Sequence, residues 1–154
     1  MRSARTSLRG LVVALLVAIA VLPSPASAAT RQDRTESAIL RAMNSVRARH
    51  GLPRLQASSA LAKAAEAHSA AMLRSGTFSH GAFNERLRRY TRARSVGETL
   101  AWMSRCDSGA VVSMWLQSAA HRRILLAPEF RVVGVGRKAS AARCMVTADF
   151  ASAR

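Results

Sequence analysis

The sequence predicts a three-layer α+β sandwich in which a small, mostly antiparallel sheet lies between helices. Two observations carry this prediction. Residues 34–75 have the apolar spacing of amphipathic helices, and strand-like segments follow at residues 96–102, 131–138 and 144–150. Neither of the last two segments has a strongly polar face, which is typical of a sheet covered by helices on both sides.

The N-terminal 28 residues are predicted to be a secretory signal peptide rather than part of the domain. Three arginines precede an apolar run at 11–22, and the small residues at 26–28 follow it. The alternative is a membrane anchor, but the run is shorter than the roughly 20 residues that span a bilayer. We therefore expect a signal peptide at 1–28, a short polar lead-in at 29–36 and the domain at 37–154, with no transmembrane segment after cleavage.

The first helix is expected to begin near Asp33, which forms a capping-box pattern with Glu36, and to end before Gly51. The apolar residues Ile39, Met43 and Val46 form one stripe along this helix. The arginines beside them, Arg41, Arg47 and Arg49, are expected to point away from that stripe.

The second helix is expected to begin after an N-cap at Ser58 and to end at Ser75-Gly76. His68 lies on its apolar stripe, and a histidine there is most simply a buried residue that is hydrogen-bonded to a neighbour. We therefore leave His68 out of the candidate site.

The remaining elements follow from shorter signals. A short helix is predicted near residues 83–90, where the run of arginines from Arg86 onward is expected to be a solvated face. Another helix is expected to start at Ser108. The last two strands form a hairpin, and Gly134 and Gly136 allow close backbone approach.

Glu98 stands out because of the strand that carries it. Strand alternation places Glu98 on one face with Leu100 and Trp102. A carboxylate on such an apolar face is costly to bury unless another group pairs with it. The alternative, that the strand starts later and Glu98 is solvated, stays open from the sequence.

The net charge of the chain indicates which partners it is suited to bind. The chain has 24 basic and 8 acidic residues, and removal of residues 1–28 leaves a net charge of +13. This positive field favours anionic lipid or acidic cell-envelope polymers. The sequence contains no nucleic-acid recognition motif, so no specific nucleic acid is expected.

Cys106 and Cys144 are predicted to form a disulfide in an oxidising compartment. The alternatives are two free thiols or a metal site with the histidines.

Five segments together carry a family resemblance. They are GTFSH at 76–80, VGETLAW at 96–102, WLQSAAHR at 115–122, PEFRVVGVG at 128–136 and VTADF at 146–150. Their order and gaps resemble the bacterial branch of the CAP superfamily, which includes cysteine-rich secretory proteins, antigen 5 and plant pathogenesis-related proteins.

The resemblance implies a cleft with His80, Glu98 and His121. In animal and plant members this cleft has two histidines and two glutamates, and Ser118 occupies the position of the second glutamate. Bacterial members usually have Pro-Gly after this serine, whereas this chain has Ala119-Ala120. The resemblance places Trp115 in the core behind the cleft and makes Ser118 the cap of the turn that bears His121.

Two imidazoles and a carboxylate predict a site for zinc or another divalent metal. We therefore expect a secreted CAP-type binding module. One alternative is an extracellular hydrolase of peptides or esters, with His80, Glu98 and His121 as catalytic candidates and Ser118, Ser79 or water as nucleophile. Others are a protein that binds lipid, sterol or an anionic surface, and a hydrogen-bond cluster that only fastens the strand to the helices.

Overall fold

The computed structural model describes residues 25–153, with side chains described from residue 34 onward. The predicted signal peptide therefore lies almost entirely outside the described residues. In chain order the elements are α1 (Pro25–Arg49), β1 (Gln56–Ala57), α2 (Ser59–Ser75), α3 (Phe83–Arg88), β2 (Val96–Met103), α4 (Ser108–Gln117), α5 (Ala119–Leu125), β3 (Phe130–Ala139) and β4 (Cys144–Ser152). No helix in this part of the chain is both long enough and apolar enough to span a bilayer.

The strands form one four-stranded sheet in the order β1-β3-β4-β2. β4 pairs antiparallel with β2 and with β3, and only the two-residue β1 is parallel to its neighbour β3. The predicted α+β sandwich with a mostly antiparallel central sheet is confirmed. Sequence periodicity missed β1 because two residues are too short to show alternation.

The start of α1 differs from the prediction. The helix begins at Pro25, so the expected lead-in at 29–36 is helical and the Asp33-Glu36 pair does not cap it. Proline is favoured in the first helical turn, and the alanines that follow it propagate a helix well. Glu36 instead uses its carboxylate to accept a hydrogen bond from the backbone N–H of Arg137 in β3, at 3.0 Å.

Arg47 is a second correction, because its side chain is fully buried rather than pointing away from the core. Its guanidinium donates hydrogen bonds to the carbonyl oxygens of Pro53, Leu125, Ala127 and Phe130. A buried charge is tolerated when its donors are satisfied in this way. Arg47 therefore joins α1 to the loop that follows it, to the C-terminal end of α5 and the loop after that helix, and to the start of β3.

α2 has the predicted limits. The Ser58 hydroxyl accepts from the backbone N–H of Leu61, and Gly76 ends the helix with a φ of 71°. The helix packs directly on β3, because a Cβ atom at either Gly134 or Gly136 would lie 2.1 Å from the backbone of α2. The expected close approach at these glycines is therefore confirmed.

Strand register assigns the two faces of the sheet. Glu98 is paired with Asp149, Leu100 with Thr147 and Trp102 with Met145, so these six residues share the face on which α2 lies. The opposite face packs in the main apolar core, which includes residues from α1 and α4. Trp115 is fully buried there, and its indole N–H donates to the Leu100 carbonyl oxygen at 2.8 Å.

The chain breaks between α4 and α5 even without Pro-Gly. Ser118 has extended backbone angles, φ −84° and ψ 121°, and its hydroxyl accepts from the backbone N–H of His121. The cap of α4 is Asp107, one residue before the predicted Ser108. The Cys106–Cys144 disulfide, with a Cα–Cα distance of 5.5 Å, joins the segment before α4 to the first residue of β4.

Replacement of Gly136 by alanine is expected to destabilise the fold by about 2 kcal/mol or more, since the new methyl group would overlap the backbone of α2. Gly109→Ala is the matched control, because a Cβ there meets only the Asp107 carboxylate, at 3.4 Å. Alanine in that helix should be neutral or stabilising by up to about 1 kcal/mol. Urea unfolding of both variants measures the difference, and equal losses would contradict the packing described.

Candidate functional site

Glu98 is the centre of the site. Its side chain is 1% exposed, and its two carboxylate oxygens have separate partners. His80 Nδ1 donates to Oε1 at 2.7 Å, and the Arg86 guanidinium donates to Oε2. His68 Nε2 lies 3.9 Å from Oε2. Glu98 is thus buried and paired, and the alternative of a solvated glutamate is wrong.

Asp149 is the cross-strand neighbour of Glu98 and is fully buried. Its Oδ1 lies 3.5 Å from Nη2 of Arg86. Burial, and then the nearby Glu98 charge, raise the pKa of Asp149 to about 8, and Arg86 opposes the shift. Asp149 is therefore mainly protonated at pH 7. Burial also raises the pKa of Glu98, but the charge of Arg86 and the hydrogen bonds with Asp149 and Arg86 oppose this shift, so Glu98 is the carboxylate that balances the charge of Arg86.

His68 belongs to the site, contrary to the sequence analysis. Its Nε2 lies 3.0 Å from the carbonyl oxygen of Ser79, and because a carbonyl can only accept, this nitrogen carries the proton. Burial, followed by the charge of Arg86, lowers the pKa of His68. The expectation of a histidine hydrogen-bonded to backbone was right, but the contact anchors the loop that carries His80.

Arg86 was expected on a solvated face with the other arginines of its run. Its side chain is only 18% exposed and faces Glu98 and Asp149. The neighbouring Arg88 and Arg89 are exposed, as expected. Arg86 therefore differs from the other arginines of the run because it lies within reach of the buried carboxylate of Glu98.

His80 is held at one nitrogen and open at the other. Its side chain is 49% exposed, and Glu98 accepts the proton of Nδ1. Burial is the main factor that lowers the pKa of His80, and Arg86 adds to it. The ring is therefore neutral at pH 7, and the Nδ1–H tautomer leaves a lone pair on Nε2.

His121 approaches from α5. Its Nδ1 is buried and has no hydrogen-bond partner in the described part of the chain. Burial, followed by the charge of His80, lowers the pKa of His121. Unlike His80, it makes no hydrogen bond or ion pair with Glu98 among the described residues. Within residues 34–153 no three His, Cys, Asp or Glu side chains are grouped as a metal ion requires. Metal binding by His80, Glu98 and His121 therefore stays a prediction.

His68, Arg86 and Asp149 were not predicted to be site residues. Asp149 also interrupts an apolar strand, which is the signal that marked Glu98. His68 was already placed on a buried stripe, and the carboxylate on the facing strand is the signal that gives it a role. Arg86 carried no signal of its own, because several arginines lie close to it in the sequence.

The fold, with His80 paired to the buried Glu98, defines a domain of the SCP type. Residues 40–150 match the CAP: Cysteine-rich secretory protein family, so the chain belongs to that family. It is 33% identical over 111 residues to the uncharacterized membrane protein YlbC of Bacillus subtilis. The matched region covers 68% of this chain and 32% of that protein. The chain thus spans about a third of the length of this curated relative.

Two solved structures extend the likeness. An extracellular protein containing an SCP domain from Bacillus anthracis has a TM-score of 0.75 at 28% identity, over 87% of this chain and 45% of that one. An outer surface protein of Borrelia burgdorferi has a TM-score of 0.71 at 20% identity, over 79% of this chain and 94% of that one. At this identity the second likeness shows the fold alone.

The raised pKa of Asp149 predicts a pH dependence of stability. The folded state keeps a proton that the unfolded state releases above about pH 4, so the contribution of Asp149 falls as pH rises toward 8. The histidines do not oppose this fall above pH 7, because their pKa values are lowered and they are then mostly neutral in both states.

The free energy of unfolding should therefore decrease between pH 7 and pH 8.5, with a slope of at most about 1.4 kcal/mol per pH unit for one proton. Asp149→Asn mimics the neutral acid and should flatten this slope. Chemical unfolding at several pH values measures both proteins. The same slope in the variant would show that Asp149 is ionised in the fold.

Proposed function

We propose that this chain is an extracellular CAP-domain binding module whose cleft takes a divalent cation of the zinc type through His80 and His121. One observation carries the proposal. Each imidazole is neutral at pH 7, and within residues 34–153 neither Nε2 of His80 nor the buried Nδ1 of His121 has a hydrogen-bond partner. Neutral imidazole is the form that binds metal.

Glu98 takes a different role from the one expected of it. Both of its oxygens already accept from protein donors. Its contact with His80 Nδ1 fixes the tautomer and ring orientation, as carboxylates commonly do for histidines that bind zinc. We therefore assign Glu98 as a positioning residue for His80.

This ligand set predicts a weak and exchangeable site. Structural zinc sites have four protein ligands and catalytic sites usually three. Two imidazoles leave the remaining positions to water or to a ligand that brings its own donor. A cation held in this way is suited to binding a partner rather than to stabilising the fold.

Three observations support an extracellular location. The Bacillus anthracis neighbour is an extracellular protein. The Cys106–Cys144 disulfide suits an oxidising compartment. The predicted signal peptide agrees with both.

The hydrolase alternative has less support. Ser118 was considered as a nucleophile, but its hydroxyl accepts a hydrogen bond from the backbone N–H of His121 at the start of α5. A hydroxyl in this position is accounted for as a helix cap. Turnover of peptides or esters that Glu98→Gln abolishes would favour the hydrolase over the binding module.

Calorimetric titration of the purified domain with zinc at pH 7 tests the metal proposal. His80→Ala and His121→Ala are each expected to weaken binding at least 10-fold, because each removes one of two protein ligands. His50→Ala is the matched control, since His50 is an exposed histidine just after α1 and should leave binding within about twofold. Absence of saturable binding, or equal loss in all three variants, would refute the site.

The lowered pKa values of His80 and His121 also predict the pH range of binding. Zinc should stay bound somewhat below pH 6.5, where an ordinary histidine is half protonated, and should be lost on further acidification. Titrations between pH 5 and pH 7.5 measure this range. Affinity that is constant down to pH 5 would point to carboxylate ligands instead.

A further inference from the structure

The edge of the sheet opposite the candidate site has a cavity of about 440 Å³, here named the β3-edge cavity. The strand order β1-β3-β4-β2 puts Glu98 in one edge strand and places β3 next to the other edge. There β1 pairs with β3 only at Val132 and Val133, so β3 itself is the edge beyond those residues. The lining of the cavity comes from α1, α2 and β3 and includes Glu36, Leu40, Ser59, Ala62, Val133 and Val135.

Strand alternation places the backbone N–H and carbonyl oxygen of Val135 on this open edge. The carbonyl oxygen of Val133 faces outward, because it accepts a hydrogen bond from the backbone N–H of Ser58 at 2.9 Å. The N–H of Arg137 faces the same way, because the Glu36 carboxylate accepts from it at 3.0 Å. Val135 lies midway between these two residues of β3, so its own N–H and carbonyl oxygen also point outward.

The described part of the chain supplies no hydrogen bond to either of these backbone groups. Val135 is nevertheless only 7% exposed. Backbone N–H and carbonyl groups at such depth are almost always paired. In an antiparallel pair, a single residue of an extended peptide supplies both the acceptor and the donor that match them. The wall of the cavity at Val135 is therefore complementary to a peptide backbone.

The walls of the cavity restrict the side chains that such a peptide can carry. Beside Gly134 the backbone of α2 lies directly on the sheet and Ala62 lines the cavity, so this face admits only small side chains. On the other face Leu40 of α1 favours an apolar side chain. The described lining contains no lysine or arginine, so a terminal carboxylate would have no cationic partner. These walls suit the interior of a peptide segment better than its end.

We propose that the β3-edge cavity binds an extended internal segment of a partner polypeptide, which runs antiparallel to β3 and pairs with Val135. The segment continues the line of β1, which already pairs with this edge of β3. It places an apolar side chain toward Leu40 and a small side chain on each side of that residue. Addition of a strand to an open sheet edge is a common mode of peptide recognition. This interaction goes beyond the proposed function, because it uses the opposite edge of the sheet and requires no metal.

NMR titration of the isotope-labelled domain with a capped peptide, acetyl-Ser-Ala-Val-Ala-Ser-amide, tests the proposal. We expect saturable shifts of the Val135 amide signal, and hydrogen exchange at this amide should slow at least fivefold at saturation. In the free domain the same amide should exchange at least 10-fold faster than the amides of Gly134 and Gly136, which face β4. Titrations in EDTA and in zinc should agree, because the candidate metal site lies at the other edge of the sheet.

Matched changes in the peptide and in the protein locate the contact. N-methylation of the central valine of the peptide removes the donor to the Val135 carbonyl oxygen and should weaken binding at least 10-fold. Ala62→Leu fills the cavity and should weaken the unmodified peptide at least 10-fold. Ala67→Leu is the matched control at an exposed position of the same helix and should change the affinity by less than twofold. The N-methylated peptide leaves the protein unaltered, so this comparison holds even where Ala62→Leu fails to fold.

Four results would overturn the proposal. The first is the absence of saturable binding, and the second is a Val135 amide that is already protected in the free domain, which would show that this edge is covered. The third is equal affinity for the N-methylated peptide, or equal loss in Ala62→Leu and Ala67→Leu, since the peptide would then be held elsewhere. The fourth is binding of the same peptide with free ends at least fivefold more tightly than the capped form, which would make a free peptide the occupant.

Discussion

The contact between α2 and β3 decides where a site can form in this molecule. Gly134 and Gly136 lack side chains on the sheet face that α2 covers, so the helix backbone lies directly against the strand. The helix packs over β3 and β4, which leaves the same face of the edge strand β2 to shorter segments. The loop at residues 76–82 and the short α3 cover it, and they bring His80 and Arg86 to Glu98.

Charge balance holds these segments in place. Glu98 and Asp149 are adjacent buried carboxyl groups facing one guanidinium, that of Arg86. Two ionised carboxylates so close together in a buried site would be costly, and a proton on Asp149 removes that cost. Glu98 then carries the one negative charge of this pair, and it accepts hydrogen bonds from both Arg86 and His80. The orientation of His80 therefore depends on an ionised Glu98, and the proton on Asp149 allows Glu98 to stay ionised.

Beside the site lies an apolar groove of about 450 Å³, lined among others by Phe78, Trp102 and His121, and the two form one surface with two chemical characters. The end near Glu98 carries the histidines, and the other end is apolar and aromatic with Arg143 at its edge. His121 borders both parts, because α5 lies beside the edge strand. The relatives share the fold, and the chain spans only about a third of YlbC, so the residues of this surface carry the functional argument for the chain itself.

The sequence by itself determined what local spacing encodes. Helical periodicity, Ser58 and Gly76 set α2, alternation set the three long strands, and an acid in an apolar strand marked Glu98. Tertiary structure alone decided which groups meet. Arg47 is buried because backbone carbonyl oxygens distant in the chain accept its hydrogen bonds. His68, Arg86 and Asp149 joined the site because strand pairing and loop anchoring placed them around one carboxylate. Such contacts join residues far apart in the chain, and the periodicity of a single segment carries no information about its partners.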